Sequence, residues 1–389
     1  MNSTVMEKEF ECTRDELTIR GVEYRPYGEK IPAIIVSHGF GGNHKHVDEG
    51  CKQYALWGYA AYAYDFCGGS AVGEGSSDGN PLDMTIDTEC RDLMAVISYV
   101  CLLPYIDPER ITLLGYSQGG LVSALIAARQ QGKIKIENLI LCSPALCIPD
   151  DARAGALAGQ SYDVNHVPEV IDCGNKKISK KFHEDVVEMD VFREIAPYKG
   201  RVMILHGLDD QIVDYHYAVK ASKLYESDKC HLQLVKAAGH CFNSNQKLGA
   251  LASIHQFLLG KKEVLTIEVN ITGSELRKQE GSWRQTAVLF DGSSESKYFK
   301  GVILPGAEDV QEYDGEKLLK LRADYTLEGK DYTGAACHIH IVNQDVKGEW
   351  KPTVETDSKS LEFLNHADLT AALEGYEGGL TVRIFADVY

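Results

Sequence analysis

Several features that would assign the chain to a particular class of protein are missing from the sequence. No stretch approaches the roughly 18 consecutive apolar residues that a membrane-spanning helix needs, so the sequence predicts no such helix. Basic residues are outnumbered, with 40 Lys and Arg against 57 Asp and Glu and a formal net charge of −17. So acidic a chain is a poor partner for a phosphate backbone or an anionic membrane, which argues against nucleic-acid and membrane binding.

Paired cysteines are also missing. The eleven cysteines are scattered singly, without a Cys-x-x-Cys pair. A chain of 389 residues has room for a sizeable apolar core and does not need disulfides, so we expect reduced thiols and a reducing, cytoplasmic compartment. Residues 1–10 contain acidic side chains and no apolar segment of the kind that a secretory signal carries, so we also expect no export signal.

The most informative stretch is residues 111–129, an apolar run followed by a Gly-x-Ser-x-Gly motif and an Ala/Leu-rich segment. This order predicts a buried strand, a sharp turn and a helix, which is the geometry of a nucleophile elbow. Ser117 would be the nucleophile, and Gly115 and Gly119 supply the small residues that the crowded turn requires. The alternative is a chance match in a glycine-rich chain, but the strand before and the helix after the motif argue against it.

Short apolar runs alternate with helical patterns around this motif, at residues 33–37, 60–64, 138–142, 201–206 and 231–235. Such alternation predicts an α/β fold, with a parallel sheet covered by helices on both faces. It stops between about residues 144 and 197, a segment too long for a simple connection. We expect an inserted cap over the carboxyl ends of the strands, where ligands bind in such sheets. An exposed loop without a role is the alternative.

A serine nucleophile needs a general base, and the base needs an acid that orients it. In this architecture the order along the chain is Ser, acid, His. His240 follows a glycine just after an apolar run and is the candidate base, the alternative being a structural histidine. Two neighbouring acids, Asp209 and Asp210, follow the preceding run. The spacing His-Gly-x-x-Asp-x-x-Val favours Asp210.

Two backbone N–H donors are expected for an oxyanion. One belongs to Gln118, directly after the candidate nucleophile. The other is predicted at Phe40, in a glycine-rich segment where the backbone at Gly39 would face the substrate. A phosphate-binding loop is the alternative for this segment, but it lacks both the Walker Lys-Ser pair and the dinucleotide glycine spacing.

After a short polar joint the pattern changes to period-two alternation between Gly, Asp and Ser turns. We therefore predict two domains: a catalytic domain at residues 1–262, with the cap at about 144–197, and an all-β, barrel-like domain at residues 263–389.

Four polar residues of the second domain are candidates for a site. His338 and His340 alternate with apolar residues, so both imidazoles share one face of a strand and could bind a metal. No third ligand is evident, so we predict no metal. Asp309 and Asp324 could line the mouth of a barrel, although turn and edge positions are the favoured interpretation.

Several segments carry a resemblance to a known family, at residues 38–42, 65–70, 115–119, 143–145, 149–153, 162–163, 167–169, 206–210 and 239–240. Over residues 10–260 or so, the chain resembles the bacterial cinnamoyl/feruloyl esterases of the α/β-hydrolase superfamily. The C-terminal domain resembles, more weakly, a small β-barrel family of uncharacterised function.

The resemblance implies hydrolysis of esters that join hydroxycinnamic acids to sugars or quinic acid, under a small cap that closes over the aromatic acid. It implies that Asp151 lies near the phenol hydroxyls; the alternative is an ordinary surface or helix-capping acid. Phe182 stands where some relatives carry a tyrosine that meets the phenol, a departure that would broaden the substrate range.

Together these features predict a serine esterase that acts on a small aromatic ester by acyl transfer through Ser117, His240 and Asp210, with no metal or cofactor. A broad carboxylesterase or a serine peptidase is the alternative enzyme, because the three side chains do not choose between ester and amide. A binding protein that acts through the β domain is the non-enzyme alternative. A homodimer is compatible with the sequence but not specified by it.

Overall fold

The computed structural model describes residues 5–346 and 349–387, and the chain divides into two units, Met1–Cys241 and Phe242–Tyr389. Strands of the first unit are β1 (Met6–Arg14), β2 (Leu17–Arg25), β3 (Ile31–Ser37), β4 (Ala60–Tyr64), β5 (Ile106–Tyr116), β6 (Ile136–Cys142), β7 (Ala156–Leu157), β8 (Gln160–Ser161), β9 (Val170–Asp172), β10 (Lys177–Ser179), β11 (Arg201–Gly207) and β12 (Cys230–Val235). Its helices are α1 (Asp48–Leu56), α2 (Ile86–Cys101), α3 (Gln118–Arg129), α4 (Ile148–Ala154), α5 (Lys180–Val186), α6 (Val191–Ile195) and α7 (His216–Ser222), with 3-10 turns at His44–His46 and Pro81–Asp83.

One eight-stranded sheet forms the centre of the first unit, in the order β1-β2-β4-β3-β5-β6-β11-β12. The β1, β2 and β4 pairings are antiparallel, and every pairing from β4 to β12 is parallel. Every residue of β4 is buried, as expected for an apolar strand with helices on both faces. The predicted α/β architecture is therefore confirmed, and the carboxyl ends of β5, β11 and β12 meet at one edge.

Helix α2, which precedes β5 in the chain, has a start that is fixed by two threonines. Thr85 caps α2 by accepting the N–H of Thr88, while the Thr88 hydroxyl accepts the N–H of Thr85. Such reciprocal bonds satisfy donors that a helix start leaves without partners. Leu93, Val96, Ile97 and Val100 repeat at helical spacing and are fully buried in the core.

Residues 143–200 lie between β6 and β11 and contain α4, α5 and α6 together with two small antiparallel pairs, β7–β8 and β9–β10. The alternation of apolar runs and helical patterns stops in this segment of the sequence. The four strands have only two or three residues each, too few for a period-two pattern to be visible.

The second unit begins with α8 (Ser244–Leu258), which packs against one of its strands, and has a 3-10 turn at Glu362–Asn365. Its strands are β13 (Lys262–Glu280), β14 (Trp283–Glu295), β15 (Phe299–Ile303), β16 (Glu308–Asp314), β17 (Lys317–Asp331), β18 (Ala336–Val346), β19 (Glu349–Trp350), β20 (Thr353–Thr356), β21 (Thr370–Tyr376) and β22 (Gly379–Ala386). The domain boundary that we predicted at 262/263 lies beyond the division at 241/242, because α8 packs on β21 and so belongs with the second unit.

All strand pairings described after α8 are antiparallel, which confirms the all-β character predicted for the region from residue 263. Followed from each strand to its neighbour, the pairings run from β13 through β14, β16, β17, β18, β19, β21 and β22 and back to β13. A single pair, Trp350 with Ala371, links β19 to β21. The unit has an apolar core of its own, centred on residues such as Ile267, Leu327 and Ile384.

None of the helices within the described ranges is both long enough and apolar enough to cross a membrane. All eleven cysteines lie in those ranges and are free.

Candidate active site

Ser117 lies at the turn between β5 and α3, with the backbone angles φ 52° and ψ −118°. A residue other than glycine is costly at positive φ and persists only where its surroundings enforce it. The surroundings are tight here: a methyl group at Gly115 would collide with the Gly119 backbone, and one at Gly119 with the carbonyls of Ser37 and His38. The turn therefore presents the Ser117 hydroxyl at the carboxyl edge of the sheet.

Three candidate side chains, far apart in sequence, form one hydrogen-bonded line. The Ser117 Oγ lies 3.0 Å from His240 Nε2, and His240 Nδ1 lies 2.8 Å from Asp210 Oδ2. Asp210 is buried, whereas the neighbouring Asp209 is exposed. The arrangement suits an imidazole that takes a proton from the serine while a buried carboxylate holds it in orientation.

Asp210 is itself held in place by further contacts. Its Oδ1 accepts the N–H groups of Ile212 and Val213, each at 2.9 Å. Its Oδ2 also lies 3.1 Å from Nε2 of His206, which is fully buried at the end of β11. Burial lowers the pKa of His206, and its Nε2–H donates to the Val213 carbonyl at 2.9 Å. Asp210 thus accepts hydrogen bonds from two backbone N–H groups and from His240, which is how a buried polar group is satisfied.

The segment predicted to supply an oxyanion donor lies against the serine. A methyl group added at Gly39 would be 3.1 Å from Cβ and 3.7 Å from Oγ of Ser117. The N–H of Gly42 donates to the Gly39 carbonyl at 2.9 Å, which closes a tight turn around Phe40. Gln118 is the first residue of α3, so its N–H is one of those that a helix leaves without an internal acceptor.

The two cap residues singled out in the sequence occupy different surroundings. Asp151 lies in α4 and is half-buried, and burial raises the pKa of its carboxyl. Phe182 lies in α5 and is almost completely buried in the apolar core of the unit. Nearby in the cap, the Tyr162 hydroxyl lies 2.8 Å from His183 Nδ1, a pair whose role the sequence did not indicate.

Sequence reasoning missed three buried polar residues around this site. His206 was visible in the His-Gly motif, but nothing in the sequence tied its side chain to Asp210. Glu89 lies on the buried face of α2, which also carries Asp92, and Lys176 belongs to a polar run in the cap. Both are buried completely or nearly so. An acid at the helical spacing of the buried residues is the one signal that could have marked Glu89.

In the second unit, the structure places His338 and His340 on one face of β18, as predicted, each beside carboxylates. His338 Nδ1 lies 3.0 Å from Asp357 Oδ2, and His340 Nε2 lies 3.6 Å from Asp324 Oδ1. Within residues 5–346 and 349–387, no group of three or more His, Cys, Asp or Glu side chains is arranged to hold a metal ion. Asp309 and Asp324 both lie within strands rather than in turns.

Comparison with known proteins relates the first unit to hydrolases. The family model described as serine aminopeptidase, S33, matches residues 28–188. The polyketide transferase ATR5 of Stachybotrys chlorohalonatus is 31% identical over 121 residues, which are 30% of this chain and 38% of that protein. The quorum-quenching protein AidA of Acinetobacter baumannii is 32% identical over 100 residues, or 25% of this chain and 31% of that protein. The chain thus spans about a third of the length of these curated relatives.

A solved structure matches over a longer stretch. Est1E from Butyrivibrio proteoclasticus, in a structure with bound ferulic acid, is 28% identical and superposes with a TM-score of 0.59. The match covers 64% of this chain and 98% of Est1E. The sheet order, the turn that carries Ser117 and this superposition lead to one conclusion: the first unit has the α/β-hydrolase fold.

Proposed function

We propose that the protein is a serine-dependent hydrolase of carboxylic esters whose acyl group is a hydroxycinnamic acid. The single observation that carries the hydrolase proposal is the line of hydrogen bonds from Asp210 through His240 to Ser117. A serine hydroxyl is a weak nucleophile at neutral pH, and this arrangement is the one that activates it.

In the proposed mechanism, Ser117 Oγ attacks the ester carbonyl while His240 Nε2 takes its proton. Asp210 stabilises the imidazolium that forms. The N–H groups of Phe40 and Gln118 bind the oxyanion of the tetrahedral intermediate. His240 then returns the proton to the departing alcohol, and water repeats the sequence on the acyl-enzyme.

The substrate class rests on two supporting observations. The similar Est1E has been solved with ferulic acid bound, and the match covers nearly all of that protein. In this chain the cap carries a half-buried carboxylate at Asp151 in α4, near the N-cap residue Cys147, and this carboxylate could accept a hydrogen bond from a phenol. The buried Phe182 cannot meet a phenol hydroxyl with a polar group, so we propose tolerance for feruloyl, caffeoyl and coumaroyl esters.

The test is release of ferulate and caffeate from their methyl esters by the purified protein. We expect Ser117→Ala to lower kcat by several orders of magnitude, because residual catalysis then comes only from binding and the oxyanion donors. Asp210→Asn should lose about 10⁴-fold by favouring the wrong imidazole tautomer. Asp209→Asn is the matched control and should stay within a few-fold of the native protein. Equal losses of kcat in the two Asn variants would contradict the assignment of Asp210 as the acid that orients His240.

A serine peptidase is the second candidate, favoured by the match to the serine aminopeptidase family. The same proton transfers would serve an amide as well as an ester. Turnover of aminoacyl amides without turnover of aryl or alkyl esters would put the peptidase first. A panel of aryl and alkyl esters beside aminoacyl amides therefore decides between the two.

Cysteine usage supports the proposed cytoplasmic location. All eleven thiols are free, and Cys241 is the exposed one. Thiols in this state persist in a reducing compartment.

A further inference from the structure

A lysine from the cap is buried behind the proposed oxyanion site. Lys176 lies between β9 and β10 and has no exposed surface, which is rare for lysine unless its charge is balanced. Its ammonium donates to the carbonyl oxygen of Gly69 and lies 4.9 Å from the centre of the Phe40 ring, within the range of a cation–π contact. The cap thus reaches the residue whose N–H is proposed to bind the oxyanion.

The neighbouring Asn175 reinforces this contact. Its carbonyl accepts the N–H of Val72 at 3.2 Å, and its side-chain amide would lie 3.6 Å from a methyl group at Gly41. The cap segment therefore adjoins two loops, the one that carries Phe40 and the one that follows β4.

A buried carboxylate is the counterpart of this lysine. Glu89, on α2, accepts a hydrogen bond at 2.8 Å from the side chain of Gln118, the residue proposed as the other oxyanion donor. Its Oε1 would lie 3.3 Å from a methyl group at Gly69, whose carbonyl holds Lys176. Burial raises the pKa of Glu89 and lowers that of Lys176, and each charge opposes the shift of the other.

We propose that Lys176 is a positioning residue, which together with Glu89 holds Phe40 and Gln118 so that their N–H groups converge on the oxyanion. The inference rests on the proposed function. Acyl transfer, as well as substrate binding, then requires the cap segment that carries Lys176 to be in its native position. Removing the charge of Lys176 frees the Phe40 ring and leaves Glu89 without its balancing cation.

The test compares Lys176→Met with the double variant Lys176→Met/Glu89→Gln, which removes both buried charges and so protects folding. Lys177→Met is the matched control, because Lys177 is the next residue and is exposed. Loss of a whole oxyanion donor costs about 10²–10³-fold, so we expect displaced donors to lower kcat by about 10–100-fold. KM should stay within about two-fold of the native value, since the aromatic acid is proposed to bind near Asp151, elsewhere in the cap.

A second readout does not depend on the identity of the substrate. A fluorophosphonate reacts with Ser117 by losing fluoride, and its phosphoryl oxygen needs the same two N–H groups. We expect both Lys176 variants to be labelled at least ten-fold more slowly than the native protein and than Lys177→Met. If the native protein hydrolyses no ester, the proposed function fails, and the labelling rates still test the inference. A folded double variant with native labelling rate, or a loss confined to KM, would overturn it.

Discussion

The imidazole of His38 is held in one neutral form by two hydrogen bonds. Its Nε2 faces the N–H of Phe66 at 3.2 Å and must accept, so the proton resides on Nδ1, which donates to the Gly39 carbonyl at 2.8 Å. A second proton would break the bond to Phe66 and place a charge in a fully buried site. Burial accordingly lowers the pKa of His38 to about 4 from the usual 6.5.

We expect this histidine to make the first unit less stable as the pH falls from 6.5 to 4. In that window an unfolded chain binds a proton at His38 and the folded chain does not, so stability rises with pH and is lost on acidification. The difference between the two pKa values corresponds to about 3 kcal/mol. Urea unfolding at a series of pH values measures it. His38→Gln, which does not titrate, should show a flatter dependence, and an unchanged slope in this variant would refute the assignment.

At the level of single residues, the sequence pattern located those candidate catalytic residues that have a fixed position in a short motif. Ser117 lies between Gly115 and Gly119 just after a strand, and His240 follows Gly239 in the loop after another. The structure brings the two side chains within hydrogen-bond distance of one another. Lys176 had no such signature, because its burial depends on loops that are distant in sequence. A polar run in the cap has the same composition whether its lysines face solvent or the protein interior.

The strand, turn and helix around Ser117 form an element that depends on close backbone contact. We expect Gly119→Ala to destabilise the first unit by about 3 kcal/mol or more and to abolish activity, because the new methyl group meets the backbone carbonyls of Ser37 and His38. Gly239→Ala is the comparison: it also adjoins a proposed catalytic residue, but its methyl group would meet nothing within 4 Å. Thermal unfolding and ester turnover should therefore be near native for Gly239→Ala. Similar losses in both variants would contradict this account.

At the level of elements, mostly apolar runs predicted the central strands well, because burial on both faces leaves few polar positions. The second unit was harder. β16 has the sequence Glu-Asp-Val-Gln-Glu-Tyr-Asp, which contains few apolar residues, and all but the last of its residues are half-buried. Its place is set by pairing with β14 and β17 rather than by its own pattern. Non-local pairing of this kind leaves little trace in a single sequence.

At the level of the whole molecule, the two units have separate apolar cores, drawn from residues 10–225 and 264–386. Each core is the size expected of a domain that folds cooperatively. The homodimer stays a prediction, and sedimentation of the full chain would test it. Because the cores are separate, we expect the two units to unfold in separate transitions. An ionic cluster in the second unit makes this measurable.

Arg383, on β22, is buried between two acids, with guanidinium nitrogens 3.3 Å from Glu263 on β13 and 3.3 Å from Glu374 on β21. Arg383→Met removes the cation that the buried Glu374 and the half-buried Glu263 both contact, which costs about 3–5 kcal/mol. We expect calorimetry to resolve two transitions, with the second-unit transition lowered by about 10 °C and the other unchanged. Arg322→Met removes a half-exposed pair with Asp324 in the same unit and should shift neither by more than a few degrees. A single transition that moves as a whole would show that the two cores unfold together.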